Sequence, residues 1–423
     1  MSKREPKEKK PAGLAFIFVT LLIDVIGFGL VIPVLPNLVG QLAGGTAQHQ
    51  VLVYGWLLSL YGLMQFICAP ILGNLSDRYG RRPVLLISLL CTGIDYIIQA
   101  TAGTIGLLFV GRIIAGIMGA SFTPATAYIA DVSKPEDRAK NFGMVGAAFG
   151  LGFMIGPALG GLLGQYGNRI PFYAAAVAAL LNVLYGYFVL PESLSKDKRR
   201  KFTISNANPF KSIGILGRKK WVLLLSISTS ILWLAQQVPP STWILITEYK
   251  FHWDPHANGL SMGLLGACSM VVQLWLIRVL QEKWGDVGLV WISLIFNIIG
   301  FVAMGLSPTG PFMLVSMVVW TVAFVGGPGL QSLISHQYDE TEQGAVQGAL
   351  TGIQSLTGVI GPLIFTAVFG YFTARGHVNL PGAPFLLGAV FIVFATIIAY
   401  SALRHHKFSR GGEELAPAPD PTT

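Results

Sequence analysis

The sequence predicts an all-α membrane protein in which twelve transmembrane helices form two pseudo-symmetric six-helix bundles. Composition is the first reason: 53% of the 423 residues are hydrophobic and only 12% are charged, whereas a soluble domain averages about 25% charged residues. The second is a series of about twelve apolar segments, each of roughly 20 residues and able to cross a hydrocarbon core of about 30 Å. The third is an internal repeat with a spacing of 205 residues.

Two local patterns carry this repeat. The turn around Gly80 recurs, with fewer charges, around Gly285, and Gly156-Pro157 recurs as Gly361-Pro362. Two unrelated patterns at one spacing indicate a duplicated half. Helices are expected throughout, because open sheet edges do not occur in lipid and the segments lack the alternation of a transmembrane barrel.

The turn at 73–83 is compact and basic, and it joins two long apolar segments. By the positive-inside rule such a turn lies in the cytoplasm. The apolar stretches on either side, 52–72 and 84–103, hold a single acidic or basic residue, Asp95. The charged residues of the turn are Asp77, Arg78, Arg81 and Arg82.

We number the predicted segments 1 to 12 in chain order. Segments 1 to 6 lie at about 14–38, 52–74, 84–103, 105–130, 141–165 and 170–190. Segments 7 to 12 lie at about 220–247, 257–280, 286–306, 311–336, 343–372 and 382–403. The loop after segment 1 contains no Lys or Arg, so we place it outside and both termini in the cytoplasm.

The chain is predicted to have five parts. They are a disordered tail (1–11), an N-terminal six-helix bundle (12–190), a cytoplasmic linker (191–219), a C-terminal six-helix bundle (220–405) and a second disordered tail (406–423). The stretch 191–220 holds nine basic residues, which we interpret as charge that sets the topology. A lipid-binding role, with a short interfacial helix at about 207–217, is the alternative.

The net charge of +9 does not indicate a nucleic-acid partner. All but four of the 29 Lys and Arg residues fall in the tails and loops assigned to the cytoplasm, so they report topology. The exceptions are Arg169, Lys250 and Arg375, assigned outside, and Arg112, assigned to the membrane. The three cysteines are scattered singly through apolar segments, which is neither a disulfide framework nor a metal site.

Enzyme motifs are missing from the sequence. GxxxxGK[ST], HExxH and CxxC do not occur, so we predict neither an enzyme nor an ATP-driven pump. No cofactor is expected beyond a proton gradient.

Two prolines occupy near-equivalent positions of the two halves. Pro33 and Pro239 lie near the outer ends of segments 1 and 7. Proline kinks a helix because it removes a backbone hydrogen bond, and paired kinks suit the gate of a rocking transporter. Ordinary packing kinks are the alternative, since proline is frequent in membrane helices.

Charged residues at bilayer depth are few: Asp24, Asp95 and Arg112. Such charges are costly and mark substrate or ion pathways. Because an apolar cavity disfavours the ionised carboxylate, Asp24 or Asp95 can take up a proton on one side and release it on the other. A static buried ion pair with Arg112 is the alternative.

Neutral polar residues within the segments are further candidates for a cavity. They are Gln65, Gln236, Gln237, Gln273, Asn297 and Gln354. Each one alone is more often used for hydrogen bonding between helices.

Segment 5 carries glycines at steps of four residues, a pattern that lets helices approach closely. Whether this packing face also forms a moving seam is left open by the spacing. The residues that stand out are Gly152, Gly156, Pro157, Gly160 and Gly161.

Several of these motifs resemble the major facilitator superfamily. The stretch 73–82 resembles its signature between helices 2 and 3, and 111–116, which contains Arg112, resembles a motif of its proton-coupled members. The stretch 156–161 resembles the segment 5 motif of its drug/proton antiporters. Within the superfamily the sequence is similar to the twelve-helix tetracycline efflux group, as seen at 24–36, 63–66, 94–96 and 347–350.

This resemblance implies a two-lobed transporter with a central cavity that opens alternately to each side. The expected partners are a small-molecule substrate, protons and the lipid bilayer of the inner membrane, and the expected state is a monomer. Asp24, Asp95 and Arg112 would handle coupling and substrate, and Pro157 would lie on the helix that seals the outer side. The expected cytoplasmic gate residues are Gly73, Asp77, Arg78, Gly80, Arg81 and Arg82.

The sequence departs from the tetracycline efflux group at two positions. That group carries a His in segment 8 and an Asp in segment 9, where extension of the match places Ser269 and Asn297. Neither side chain can carry a proton near neutral pH, so we expect the coupling proton on Asp24 or Asp95.

We therefore predict an exporter of a small amphipathic compound that is driven by proton exchange. An uncoupled facilitator of a small solute is the alternative, because the interior of the second half lacks carboxylates. A membrane receptor or scaffold is a third hypothesis, and the short loops and tails offer it little docking surface.

Overall fold

The computed structural model describes residues 12–119, 121–133, 138–199, 213–335, 337–338 and 343–404. The predicted tails at 1–11 and 406–423, and most of the possible interfacial helix at 207–217, lie outside the described residues. Within the described ranges the chain is all-helical with no strand, and the predicted fold class is confirmed.

The six segments of the first half follow the predicted order. Segments 1 and 4 are each interrupted near the middle, and the others are continuous. Segment 1 comprises Ala12–Val31, a 3₁₀ turn at Ile32–Val34 and Leu35–Ala43; segment 4 comprises Ile105–Gly119 and Phe122–Val132. Segments 2, 3, 5 and 6 are Ala47–Tyr79, Arg81–Thr101, Arg138–Gly164 and Ile170–Val189.

The second half repeats this plan. Segments 7 and 10 are interrupted, and segments 11 and 12 are continuous. Segment 7 comprises Lys220–Ala235 and Val238–Phe251; segment 10 comprises Gly310–Thr321, a 3₁₀ turn at Val322–Val325 and Gly326–Ser335. Segments 11 and 12 are Gln343–Thr373 and Ala383–Leu403.

Segments 8 and 9 follow each other without an intervening loop in the stretch Pro255–Leu306. It comprises Pro255–Val271, a π turn and Ile277–Leu306, and two helices join within it at Gly285, whose φ of 63° and ψ of −173° are not helical. A stretch of 52 residues is about twice the length that one crossing needs. The part before Gly285 is segment 8 and the part after it is segment 9, so the eleven membrane-length stretches of the described chain are consistent with twelve crossings.

The two repeated turns share one backbone feature, a glycine with a positive φ. Gly80, between segments 2 and 3, has a φ of 107°, and Gly285 has the positive φ already given. Glycine adopts such angles without steric cost. The chain can therefore reverse abruptly between two membrane helices at equivalent points of both halves.

The side chain of Arg81 anchors the first of these turns to the base of the N-terminal half. Its guanidinium lies 2.5 Å from Asp77 and 3.1 Å from Asp131, and it donates to the Ser76 hydroxyl at 2.6 Å. The backbone N–H of Arg81 donates to Glu192 at 2.9 Å. These contacts tie segments 2, 3 and 4 to the start of the linker.

The second turn has the same geometry with the opposite charge. Asp286 is the repeat equivalent of Arg81, and it is 1% exposed. It accepts hydrogen bonds from Gln281 at 2.8 Å and from Ser332 at 2.5 Å. A carboxylate at the start of a helix is favoured by the helix dipole, so the sequence repeat preserves the anchoring role while the chemistry changes.

The two halves meet closely along two seams that reach the end predicted to face outside. Segment 2 packs on segment 11 from the middle of both helices, where a Cβ on Gly62 would lie 2.9 Å from the carbonyl oxygen of Gly358, toward the outer end, where a Cβ on Gly55 would lie 3.3 Å from the carbonyl oxygen of Pro362. Segment 5 packs on segment 8, where a Cβ on Gly161 would lie 2.9 Å from the Cα of Gly259. Backbone therefore meets backbone, and this end of the molecule is closed.

Segment 5 also packs on segment 1 through the glycines singled out in the sequence. Gly152 and Gly160 lie directly against Val25 and the backbone of Leu30, respectively. Gly156 faces Gly29, next to Pro157. Three of the predicted motif glycines thus pack within the first half, whereas Gly161 packs across the seam.

Replacing Gly156 with alanine is expected to destabilise the protein by about 1–3 kcal/mol, the usual cost of overpacking. The added Cβ would lie 2.8 Å from two backbone atoms, the Cα of Gly29 and the carbonyl oxygen of Ile26, and neither can rotate away. The unfolding temperature in detergent measures the effect. Gly106→Ala is the control, because nothing lies within 4 Å of its Cβ; equal unfolding temperatures for the two variants would contradict the close packing.

Candidate functional site

A cavity of about 720 Å³ lies between the two halves. This volume is within the range of about 300–1,000 Å³ that is typical of sites for drug-sized ligands. Segments 1 to 5 line one side, and segments 7, 8, 10 and 11 line the other. Because the halves are packed together at the predicted outer end, the cavity lies on the inner side of that closure.

The three charged residues predicted at bilayer depth all line this cavity. Asp24 is half-buried in segment 1, whereas Asp95 and Arg112 are buried in segments 3 and 4. One carboxylate oxygen of Asp95 accepts a hydrogen bond from Gln99 at 2.5 Å. The structure thus gathers side chains from three segments that are far apart in the sequence.

This cluster leaves several polar atoms without partners. The second carboxylate oxygen of Asp95, the Nε of Arg112 and the amide oxygen of Gln99 are buried and lack a hydrogen bond. Among the described residues, Arg112 forms no ion pair within 4.0 Å. Buried charges are costly without a partner, so the arrangement calls for water, a proton or a ligand group.

Two tyrosines complete the charged cluster. Tyr61 and Tyr96 line the cavity, and both interact electrostatically with Asp24, Asp95 and Arg112. Neither tyrosine, nor Gln99, is among the site residues predicted from the sequence. Gln99 lies four residues after Asp95, on the same face of segment 3, and this spacing is the signal that would have identified it.

The predicted neutral residues divide into two groups. Gln65, Gln273 and Gln354 line the cavity, and Gln65 also donates to the Gly119 carbonyl at 3.3 Å. Gln236 and Asn297 do not: they bond to each other at 2.8 Å inside the C-terminal half.

The placement of Gln236 and Asn297 corrects the expectation that they face the cavity. Asn297 is fully buried and also accepts from the indole N–H of Trp320 at 2.9 Å. Buried amides are normally satisfied in this way. Gln237, which is also among the predicted candidates, lines the cavity, and so does Ser269.

Aromatic side chains form a continuous wall on the first-half side of the cavity. Neighbouring ring centroids are 5.9, 6.0, 6.4 and 4.8 Å apart, which are distances of favourable ring contact. The aromatic wall consists, in order, of Tyr61, Phe28, Phe153, Phe149 and Phe122.

The wall contributed by the second half has a different character. It presents amide and hydroxyl groups from segments 7, 8 and 11, with Trp243, Trp320 and Phe324 between them. A flat apolar molecule with hydrogen-bonding groups along one edge matches both walls. The polar residues are Gln237, Ser241, Ser269, Gln273, Gln354 and Ser355.

The predicted gate residues do not line the cavity. They lie at the predicted cytoplasmic end, where the network of Asp77 and Arg81 stays within the first half. Arg82 donates to the carbonyl of Tyr187 at 2.6 Å, and Arg78 lies over the ring of Tyr79. Gly80 supplies the reversal, and Gly73 packs near Thr123 of segment 4.

Solved structures share this architecture. The human organic anion transporter MFSD10 (TETRAN) matches with a TM-score of 0.70 and 23% identity, over 93% of this chain and 100% of that one. A bacterial homolog of the human lysosomal transporter Spinster, in an inward-facing and occupied conformation, matches with a TM-score of 0.76 and 15% identity, over 95% of this chain and 98% of that one.

Curated relatives match along nearly the whole chain. The class C tetracycline resistance protein of Escherichia coli is 38% identical over 95% of this chain and 99% of its own length. The class H tetracycline resistance protein of Pasteurella multocida is 33% identical over 92% of this chain and 95% of its own length. The profile of the Major Facilitator Superfamily matches residues 17–362. With its helical architecture, its membrane-length segments and its central cavity, this chain belongs to the Major Facilitator Superfamily and is a multi-pass membrane transporter.

Proposed function

We propose that this transporter exports a small amphipathic compound from the cytoplasm across the inner membrane, in exchange for protons. The observation that carries the proposal is the cluster of Asp24, Asp95 and Arg112 on a drug-sized cavity, with buried polar atoms that lack partners. The relatives named as tetracycline resistance proteins support a drug as the substrate.

The exchange follows from competition for the carboxylates. With the cavity open to the cytoplasm, a polar or cationic group of the drug binds at Asp95 or Asp24, and the protonated carboxyl releases its proton to the cytoplasm and stays ionised while the drug is bound. After the halves rock and the cavity faces outside, a proton returns to the carboxylate and weakens this interaction, so the drug leaves. The protonated cavity carries no net carboxylate charge across the membrane, which lowers the cost of the return step.

Arg112 lets the two carboxylates be used in turn. A guanidinium cannot lose its proton under physiological conditions, so it remains a fixed positive charge beside Asp95. That charge stabilises the ionised carboxylate once the proton has left. Gln99 orients Asp95 through its hydrogen bond and leaves the second carboxylate oxygen free for the proton or the drug.

The two walls of the cavity favour a fused-ring compound. The aromatic wall offers stacking to a flat ring system, while the amides and hydroxyls opposite offer hydrogen bonds to a polar edge. Tetracycline-like molecules combine these features. Ser269 lines the cavity and Asn297 is sequestered, which supports the proposal that the coupling carboxylates belong to the first half and that the second half contributes neutral recognition.

Asp95→Asn is expected to abolish the release of protons when drug is added to purified protein, because asparagine cannot ionise. Asp24→Asn is expected to reduce it. A sensitive pH indicator in weakly buffered detergent solution, with tetracycline as the probe, measures the release. Asp254→Asn is the matched control: it removes an exposed carboxylate outside the cavity that caps segment 8, and asparagine caps helices equally well.

If drug binds to the wild type and to all three variants without proton release, the proton-exchange hypothesis is wrong and uncoupled facilitation takes its place. Equilibration of the drug across proteoliposomes without a pH gradient would then be the expected activity.

Phe149→Ala is expected to weaken drug binding about tenfold, because it removes the ring that stacks between Phe122 and Phe153 and such contacts contribute about 0.5–1.5 kcal/mol beyond apolar burial. Equilibrium binding of tetracycline to the detergent-solubilised protein provides the measurement. The control is Phe394→Ala on segment 12, where the ring is 56% exposed on the outer face of the helices. Equal affinities for the two variants would show that the aromatic wall does not contribute to drug binding.

A further inference from the structure

A carboxyl group outside the cavity joins the two halves at their closed end. Asn37, in the last part of segment 1, donates a hydrogen bond to Glu248, in the last part of segment 7, at 3.0 Å. The two residues are 211 positions apart, and each belongs to a different half. Glu248 is half-buried and lies within the membrane-length stretch Lys220–Phe251.

The neighbours of Glu248 on segment 7 turn toward their own half. Lys250 donates to the carbonyl of Ser307, and Tyr249 donates to Asn379 and packs on Phe369 of segment 11. Glu248 instead reaches across the interface. Among the described residues, no Lys or Arg forms an ion pair with it.

The groups facing Glu248 from the first half are an amide and a phenol. Asn37 of segment 1 is neutral, and Tyr54 of segment 2 is the titratable first-half residue close enough to influence Glu248. Tyr54 is 4% exposed and lines the cavity.

The chemistry of this pair depends on the proton carried by Glu248. A carboxylate only accepts hydrogen bonds, so it can use the NH₂ group of Asn37 and nothing else of that amide. A protonated carboxyl can accept from the NH₂ group and donate to the amide oxygen at the same time. The protonated form therefore pairs with Asn37 through two hydrogen bonds and leaves no charge in an apolar interface.

We propose that Glu248 is the outer proton-binding residue of the exchange, and that its protonated form closes the outer end of the transporter onto Asn37. This inference rests on the proposed proton exchange. When the outer end is open, the bond to Asn37 is broken and Glu248 passes its proton through the cavity to Asp95; the carboxylate left behind takes one proton from external water. Closure then buries the neutral carboxyl, and Asp95 releases the transferred proton to the cytoplasm, so that one proton enters and one leaves in each cycle.

Glu248→Gln separates proton binding from closure. Glutamine has nearly the same shape and can still pair with Asn37 through two hydrogen bonds, but it cannot bind a proton. In proteoliposomes, the variant is expected to equilibrate tetracycline across the membrane and to lose accumulation driven by a pH gradient. Asp254→Asn, an exposed carboxylate at the same end, is the matched control and should behave like the wild type.

Closure is measured separately, by labelling a cysteine beneath the outer seal. Ser241 lines the cavity two turns before Glu248, so we choose Ser241→Cys in a chain whose three native cysteines are replaced by alanine. A membrane-impermeant maleimide is added from outside. Labelling rates are divided by the rate of a fully exposed cysteine at the same pH, because the thiolate that reacts with maleimide becomes more abundant as pH rises. The corrected rate should increase with external pH when Glu248 is present and become independent of pH in Glu248→Gln. Asn37→Ala should label about fivefold faster, the factor equivalent to one hydrogen bond of about 1 kcal/mol.

The outcomes distinguish this inference from the proposed function. If the wild type shows no accumulation driven by a pH gradient, the proton exchange itself is wrong. If the wild type accumulates drug and Glu248→Gln does so equally well, with unchanged labelling, Glu248 binds no coupling proton and the inference fails. Should Glu248→Gln not fold, unchanged labelling in Asn37→Ala would still overturn the proposed closure.

Discussion

The high free energy of a charge in an apolar medium determines how this molecule is arranged. It confines almost all Lys and Arg residues to the predicted cytoplasmic side and leaves a small set of charged groups at the centre. Those that remain inside are gathered from different segments around one cavity: Asp24, Asp95 and Arg112. In the described chain no carboxylate lies within 4.0 Å of the Arg112 guanidinium, and the two carboxyl groups of the cluster outnumber this single cation. In the proposed exchange, one proton or one cationic group of the drug neutralises the excess negative charge, and transport moves that neutralising species.

The architecture was predictable from the sequence because the signals for it are long or repeated. The turn at Gly80 and its counterpart at Gly285 share a spacing, and both prove to have a positive φ. The central charged residues were also predictable, since a single Asp or Arg in a long apolar segment stands out. Their convergence on one cavity follows from the fold, which places segments 1, 3 and 4 side by side.

The sequence was less informative where helix rotation or helix ends decide the outcome. Gln236 and Gln237 are adjacent, and only the direction of the short break between Ala235 and Val238 determines which of them faces the cavity. In the sequence, Asn297 has the features of a cavity residue, a polar side chain within an apolar segment. Only the structure shows that its side chain bonds to Gln236 and Trp320 instead. Glu248 lies close to a predicted helix end, where a charge is unremarkable, and its contact with Asn37 depends on packing between halves that sequence spacing does not encode.

The seams between the halves have a mechanical consequence. At Gly62 with Gly358 and at Gly161 with Gly259, two smooth backbone ridges touch without interlocking side chains. Interlocked leucines would have to change rotamers, one after another, before such helices could separate. Smooth ridges can slide or separate in one motion, because no side chain has to change its rotamer first. In the proposed cycle, polar contacts at the rim such as that of Asn37 with Glu248 would then set the rate at which the outer end opens, separately from the cavity that binds the substrate.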